Sequence, residues 1–345
     1  MAGNAPVVFS ILDLAPICIG STAATSFRNS LELAQCAEQW GYHRYWLAEH
    51  HNIPGIASAA TSVIIGHIAG GTKTMRVGAG GIMLPNHSPL VIAEQFGTLE
   101  SMYPGRIDLG VGRAPGGDML TARALRRNLN GSIDSFPSDV RELISYFQKP
   151  AEDSFVRAIP GAGLNVPVYL LGSSDFSADL ASQLGLPFAF ASHFAPEYLH
   201  AALDLYRRHF EPSKQLEKPY AMVGVNVFAA ETDEEAKRLF TSLQQQFLRL
   251  RRNEPTEVPP PVESMDKVWT LAEQSMMNKS LRYSVVGSPE TVKKGIERVL
   301  EETRADEIIA TASIYDHKAR LRSFEIAADV FGQINSSRKP TVKRM

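Results

Sequence analysis

Short apolar, β-branched runs alternate with amphipathic stretches along almost the whole chain. Residues 7–12 predict a strand, and residues 27–40 then place Leu33, Ala37 and Trp40 on one face, as a helix requires. The alternation continues with strands over 42–48, 75–80, 107–111, 166–171, 188–191, 223–230 and 308–312. Between them, helices are predicted over 57–70, 89–102, 137–147, 177–184, 196–210, 233–250 and 317–331. Turn chemistry agrees: Tyr103-Pro104-Gly105 ends one helix, Pro137 suits a first turn, Thr232 an N-cap and Gly185 a C-cap. Strands that stay apolar without alternation are buried on both faces, as in a parallel sheet. Eight such βα units predict an α/β fold, the (β/α)8 TIM barrel, with a doubly wound sheet of as many strands as the alternative.

One stretch departs from this rhythm. A long insertion containing Pro255, Pro259, Pro260 and Pro261 precedes the eighth strand. Loops of such length inside a domain commonly act as lids or linkers. Residues 253–283 are read as a mobile cover over the strand C-termini. Residues 289–303, with Val292, Ile296, Val299 and Leu300 on one side, are read as the packed helix of the seventh unit. Residues 1–335 thus read as one domain and 336–345 as a basic tail with Arg338, Lys339, Lys343 and Arg344.

Charge and cysteine content narrow the function classes. With 35 basic and 37 acidic residues the net charge is −2, which gives no pull toward nucleic acid. Cys18 and Cys36 have no metal-ligand spacing and fit a reducing compartment as packing residues. The sequence opens without a basic segment followed by an apolar one, and holds no apolar run of about 18 residues. A cytoplasmic protein without a membrane partner is expected.

The strand ends carry the candidate chemistry. Glu49-His50-His51 closes the second strand. An imidazole there can move a proton near neutral pH, and Glu49 is placed to orient it. Adjacent residues face opposite ways, so only one of the two histidines can enter a pocket; two loop histidines bonded to backbone are the plainer alternative. Two neighbouring histidines share an ion poorly and no HExxH spacing occurs, so no metal site is expected. Gly78-Ala79-Gly80-Gly81 closes the third strand, as a bulge or as room for a flat ligand against the backbone. Arg106 to Asp118 ends in a glycine-rich turn with one cation, Arg113, suited to an anion. Pro115 stands where a GxGxxG fingerprint needs its third glycine, which disfavours a dinucleotide site. Neither a P-loop nor a GxSxG elbow occurs. Gly172-Ser173-Ser174 precedes a helix: its amides and hydroxyls suit a phosphate, with Ser177 facing the same ligand, and an ordinary serine N-cap is the alternative. The combination suits a flat cofactor bearing a phosphate.

Several of these segments together resemble the bacterial luciferase-like flavin monooxygenases, in particular the small single-chain, alkanal-monooxygenase-like members. They are Leu47-Ala-Glu-His-His51, Val77-Gly-Ala-Gly-Gly-Ile-Met-Leu-Pro85, Ala93-Glu94, Gly105 to Arg113, Ser173 to Pro187, Val286-Gly-Ser-Pro-Glu290 and Ala305-Asp-Glu-Ile308. The resemblance implies a (β/α)8 barrel that binds FMN at its C-terminal face and is usually a homodimer. It further implies reduced FMN supplied by a separate flavin reductase, and O2 used on a small aldehyde- or ketone-like substrate. His50 matches the catalytic histidine, and Gly80-Gly81 a pair joined by a non-proline cis peptide beside the flavin ring. Arg113, Ser173, Ser174 and Ser177 match phosphate-contacting positions, with Gly172 in the same turn, and residues 253–283 match the lid. Gly112 stands where luciferase has its reactive cysteine, and Ser192 where it has a tryptophan; these departures argue against light emission. An F420-dependent oxidoreductase on the same barrel and a non-catalytic flavin-binding protein are the alternatives.

Overall fold

Nine parallel strands follow one another along the chain: β1 (Val8–Asp13), β2 (Arg44–Leu47), β3 (Arg76–Met83), β4 (Ile107–Gly112), β5 (Val168–Gly172), β6 (Phe188–Phe190), β7 (Ala221–Ala229), β8 (Ser284–Gly287) and β9 (Glu307–Thr311). These come from a computed structural model describing residues 6–114, 119–125 and 135–338. Around the strands lie α1 (Ala23–Gln39), α2 (Thr61–Gly71), α3 (Pro89–Met102), α4 (Met119–Leu125), α5 (Phe136–Tyr146) and α6 (Asp175–Leu184). They are followed by α7 (Leu199–His209), α8 (Asp233–Arg251), α9 (Leu271–Ser280), α10 (Pro289–Thr303) and α11 (His317–Arg338).

Eight of the strands close. The order runs β6-β5-β4-β3-β2-β1-β9-β7, and pairing of β6 with β7 completes a parallel barrel, so the doubly wound alternative does not hold. The eighth barrel strand is β9. The additional strand, β8, pairs with the second half of β7, from Asn226 opposite Ser284 to Ala229 opposite Gly287.

Apolar residues fill two compartments. The larger lies between strands and helices and includes Ile65, Val77, Phe96, Leu109 and Phe324. The smaller fills the barrel with Leu12, Trp46, Tyr169, Met222 and Ile309, the Trp46 and Tyr169 rings meeting edge-on at 4.9 Å. Beneath it, at the strand N-termini, buried Arg44 reaches Asp108 at 2.7 Å and Glu307 at 2.8 Å. Paired charges plug that end, and the cavity lies toward the C-terminal ends.

The insertion is tied down where it crosses that end. Val258 exchanges backbone bonds with the loop after β1, receiving from Ile19 N at 2.9 Å and donating to Ile17 O at 2.8 Å. The same loop pairs on its other side with residues 55–57 through Ile17 N to Gly55 O and Ala57 N to Ala15 O, both 3.0 Å. Three loop segments thus form a small sheet over the mouth. Farther along, α9 opens with a Thr270–Glu273 capping box, and Glu273 also accepts from Arg252 at 2.8 Å. Residues 336–338 of the expected tail belong to α11; 339–345, the N-terminal residues 1–5, and 115–118 of the glycine-rich turn lie outside the described residues. Among the described residues, no helix is long and apolar enough to cross a membrane.

Candidate active site

A cavity of about 550 Å³ opens at the C-terminal ends of the barrel strands. Its volume falls within the roughly 300–1,000 Å³ of small-molecule sites. His50, Gly80, Gly81, Arg113, Gly172, Ser173, Ser174 and Ser177 all line it, although they come from four separate strand ends. The walls between them are largely apolar, with Leu12, Trp46, Leu171, Phe190 and Phe247 prominent.

The floor is set by glycines. The Gly80-Gly81 peptide is cis, and Gly81 accepts from the Glu49 amide at 3.1 Å. A Cβ on Gly80 would lie 2.9 Å from both Leu12 Cδ1 and Trp46 Cε3; one on Gly81 would lie 2.7 Å from Gly110 O. Backbone rather than side chain therefore lines the cavity at this point.

The three residues of the Glu49-His50-His51 motif have different tasks. His50 turns into the cavity, where its Nδ1 is buried without a partner among the described residues. Burial lowers its pKa below the usual imidazole value, partly offset by the Ala48 carbonyl, so the ring is neutral near pH 7. His51 turns away and meets Glu49 at 2.7 Å. Glu49 does not orient His50, contrary to expectation. It is buried and accepts from the Met83 amide at 2.9 Å while contacting His87 Nε2 at 2.9 and 3.0 Å. Burial alone would raise its pKa, but His87, His51 and the Met83 amide outweigh it and hold the carboxyl below its ordinary range.

On the opposite wall, Ser174 occupies the N-cap of α6 with extended backbone, yet its side chain caps no amide. This departs from an ordinary serine cap and leaves the hydroxyl at the positive end of the helix. Asp175 is engaged locally with the Phe176 amide at 2.9 Å. The Arg113 guanidinium lies over the Phe176 ring, 4.0 Å from its centroid, and has no ion-pair partner among the described residues. A cation, two hydroxyls and a helix N-terminus therefore converge there, and no carboxylate among the described residues is paired with Arg113. That donor set fits a phosphate.

Sequence reasoning did not assign His193, which follows β6 and also lines the cavity, nor Gly224 and Asn226 on β7 beside it. Gly224 within the run Val223-Gly224-Val225 was the available signal, since glycine inside a strand marks a close approach. Among the described residues, no group of three or more His, Cys, Asp or Glu could hold a metal.

The family model described as luciferase-like monooxygenase matches residues 8–307. The chain belongs to the luciferase-like monooxygenase family. It is 58% identical over 324 residues to the luciferase-like monooxygenase of Escherichia coli K12, covering 94% of this chain and 97% of that protein. The solved structure of apo-MsnO8 is 33% identical with a TM-score of 0.84, covering 94% of this chain and 98% of that one. Two more distant structures share the fold alone. The FMN-bound oxygenating constituent of 3,6-diketocamphane monooxygenase from Pseudomonas putida is 18% identical with a TM-score of 0.69, covering 94% of this chain and 97% of that one. An F420-dependent secondary alcohol dehydrogenase is 16% identical with a TM-score of 0.69, covering 95% and 99%. The protein is accordingly an enzyme of the flavin-type monooxygenase class.

Proposed function

We propose that this luciferase-like monooxygenase uses reduced FMN, delivered by a separate flavin reductase, and O2 to oxygenate a small aldehyde- or ketone-like substrate. One observation carries the choice of FMN: Arg113 stacked on Phe176, beside the uncapped Ser174 end of α6, in the same cavity as the Gly80-Gly81 floor. Arg113, Ser173, Ser174 and Ser177, with the Gly172 backbone, would hold the phosphate, and Gly80-Gly81 would underlie the flat ring. Bound reduced FMN supplies the reaction with O2; the chain supplies binding, orientation, a dry space and proton control.

His50, whose neutral ring lines the cavity, holds or moves a proton there. The apolar walls and the insertion residues Pro255 and Thr256 limit water at the mouth, which gives residues 253–283 the part of a cover. No nicotinamide fingerprint is found in the chain, hence the external reductase. Free Cys18 and Cys36 suit work in the cytoplasm. The outward faces of α2 and α3 carry Val63, 71% exposed, Val91, 44%, and Met102, 54%, which suits pairing with a second copy.

The test supplies the purified protein with FMN, a flavin reductase, NADH, ¹⁸O2 and octanal or 2-octanone. The expected result is one ¹⁸O atom in the organic product. Hydride transfer with F420 and no ¹⁸O incorporation with FMN would overturn the reading.

A further inference from the structure

The later part of the insertion, from α9 to Tyr283, borders with α8 and α10 a second cavity of about 360 Å³. Its wall carries Gln244, Asn278, Arg282, Tyr283, Arg298 and Glu302. The helix α8 stands between this cavity and the active one, with Leu243 lining the first-described cavity and its neighbour Gln244 the second. The two differ in character: apolar side chains wall the active cavity, whereas polar and charged ones wall this one.

Buried Tyr283 fastens this wall. Its hydroxyl donates to Glu302 Oε2 at 2.8 Å and meets His200 Nε2 at 2.9 Å, tying α7 to α10. Burial, then Glu302, push its pKa up to about 12 against the pull of Arg282 and Arg298, so the phenol stays protonated. Both guanidinium groups are thus near enough to act on one hydroxyl. Glu302 is the only acid on the wall and is already engaged, by Tyr283 and at 3.9 Å by Arg298 Nε. Arg282 lies 5.9 Å from the Tyr283 ring centroid and has no ion-pair partner among the described residues. The side-chain amides of Gln244 and Asn278 likewise have no hydrogen-bond partner among the described residues.

Two guanidinium groups against one carboxylate leave the wall one positive charge in excess. A ligand carboxylate supplies one negative charge, and the planar guanidinium can take it through paired hydrogen bonds. The two amides, each both donor and acceptor, suit hydroxyl groups on the rest of such a ligand. The volume lies within the range of small-molecule sites. We propose that this cavity is a second binding site, for a small polar carboxylate: Arg282 and Arg298 hold the carboxylate, and Gln244 and Asn278 the hydroxyl-bearing body. The site is distinct from the cavity in which Arg113 stands, and it does not depend on the oxygenation reading above.

The test is isothermal titration of the full-length protein with D-gluconate and with D-sorbitol at constant ionic strength. These polyols differ at one end, carboxylate against alcohol. Saturable binding of gluconate at one site per chain is expected, with sorbitol at least about 10-fold weaker. Arg282→Gln and Arg298→Gln should each weaken gluconate about 10-fold, the loss expected for a hydrogen bond to a charged group. Both side chains are exposed, so thermal unfolding of the two variants should match wild type. Arg113→Ala, altered in the other cavity, should bind gluconate as wild type does. No binding of gluconate, or equal affinity for gluconate and sorbitol, would overturn the proposal. So would a loss of gluconate binding in Arg113→Ala with none in Arg282→Gln and Arg298→Gln, which would place the ligand in the active cavity. Inorganic phosphate binding more tightly than gluconate would overturn the assignment to a carboxylate.

Discussion

Glu49 and His87 meet across the ends of two barrel strands, with His87 Nε2 at 2.9 and 3.0 Å from the two carboxylate oxygens of a buried Glu49. Because Glu49 also accepts from the Met83 amide at 2.9 Å, it fastens β2 to the turn that follows the Gly80-Gly81 floor. Replacing it leaves His51, His87 and the Met83 amide without this acceptor. Glu49→Ala is expected to lower unfolding free energy by about 3 kcal/mol in urea titration. Stability equal to wild type would show that this junction is held by packing alone.

The division between Glu49 and His50 gives a second expectation. Since Glu49 does not touch the His50 ring, His50→Ala should leave the junction and flavin binding intact. Product formation should fall by roughly 10²–10⁴, the usual worth of a positioned acid or base. A turnover rate within threefold of wild type would remove His50 from the proton chemistry.

The close approach of Gly81 to β4 predicts a structural failure instead. A methyl at position 81 would lie 2.7 Å from Gly110 O and 3.2 Å from Leu171 Cδ1, so β3 must shift away from β4. Gly81→Ala should cost about 1–3 kcal/mol of stability, as overpacking does, and should weaken flavin binding in the same preparation. Unaltered thermal unfolding would show that the floor can yield.

Acid sensitivity follows from His193. Its pKa is about 3 in the folded protein, against an ordinary 6.5, because of burial and then His50. Below about pH 6.5 the unfolded chain takes up a proton that the folded one refuses, so stability falls with pH until about 3. The slope is roughly 1.4 kcal/mol per pH unit. Between pH 6.5 and 5, wild type should therefore lose about 2 kcal/mol more than His193→Asn in urea titration. Parallel losses in the two proteins would contradict a neutral, buried ring.

Much of this architecture is legible in the sequence because parallel barrel strands are apolar throughout and their helices carry strong one-sided patterns. The helix Pro89–Met102 falls at its predicted bounds, with proline setting its first turn and Tyr103-Pro104-Gly105 its end. The strand β8 was not legible: four residues, Ser284 to Gly287, give no period, and pairing with the second half of β7 is decided by tertiary contact. The candidate cavity was legible at glycines and at the paired histidines, whose chemistry is local. It was not legible at His193, because the unpaired nitrogen exists only through Gly224 and Asn226, residues 31 and 33 positions farther along the chain. The task of Glu49 was missed for the same reason, since its partner His87 lies beyond a whole βα unit.

If separate loops grip one phosphorylated flavin, Arg113 carries the charge that holds its phosphate. Anaerobic titration of the flavin-free protein with reduced FMN and with reduced riboflavin compares ligands that differ only by the phosphate. Wild type is expected to bind reduced FMN about 10- to 100-fold more tightly than reduced riboflavin, and Arg113→Ala to lose most of that difference while binding riboflavin as before. Equal affinity for the two flavins in wild type, or an Arg113→Ala variant that still prefers FMN as strongly, would contradict it.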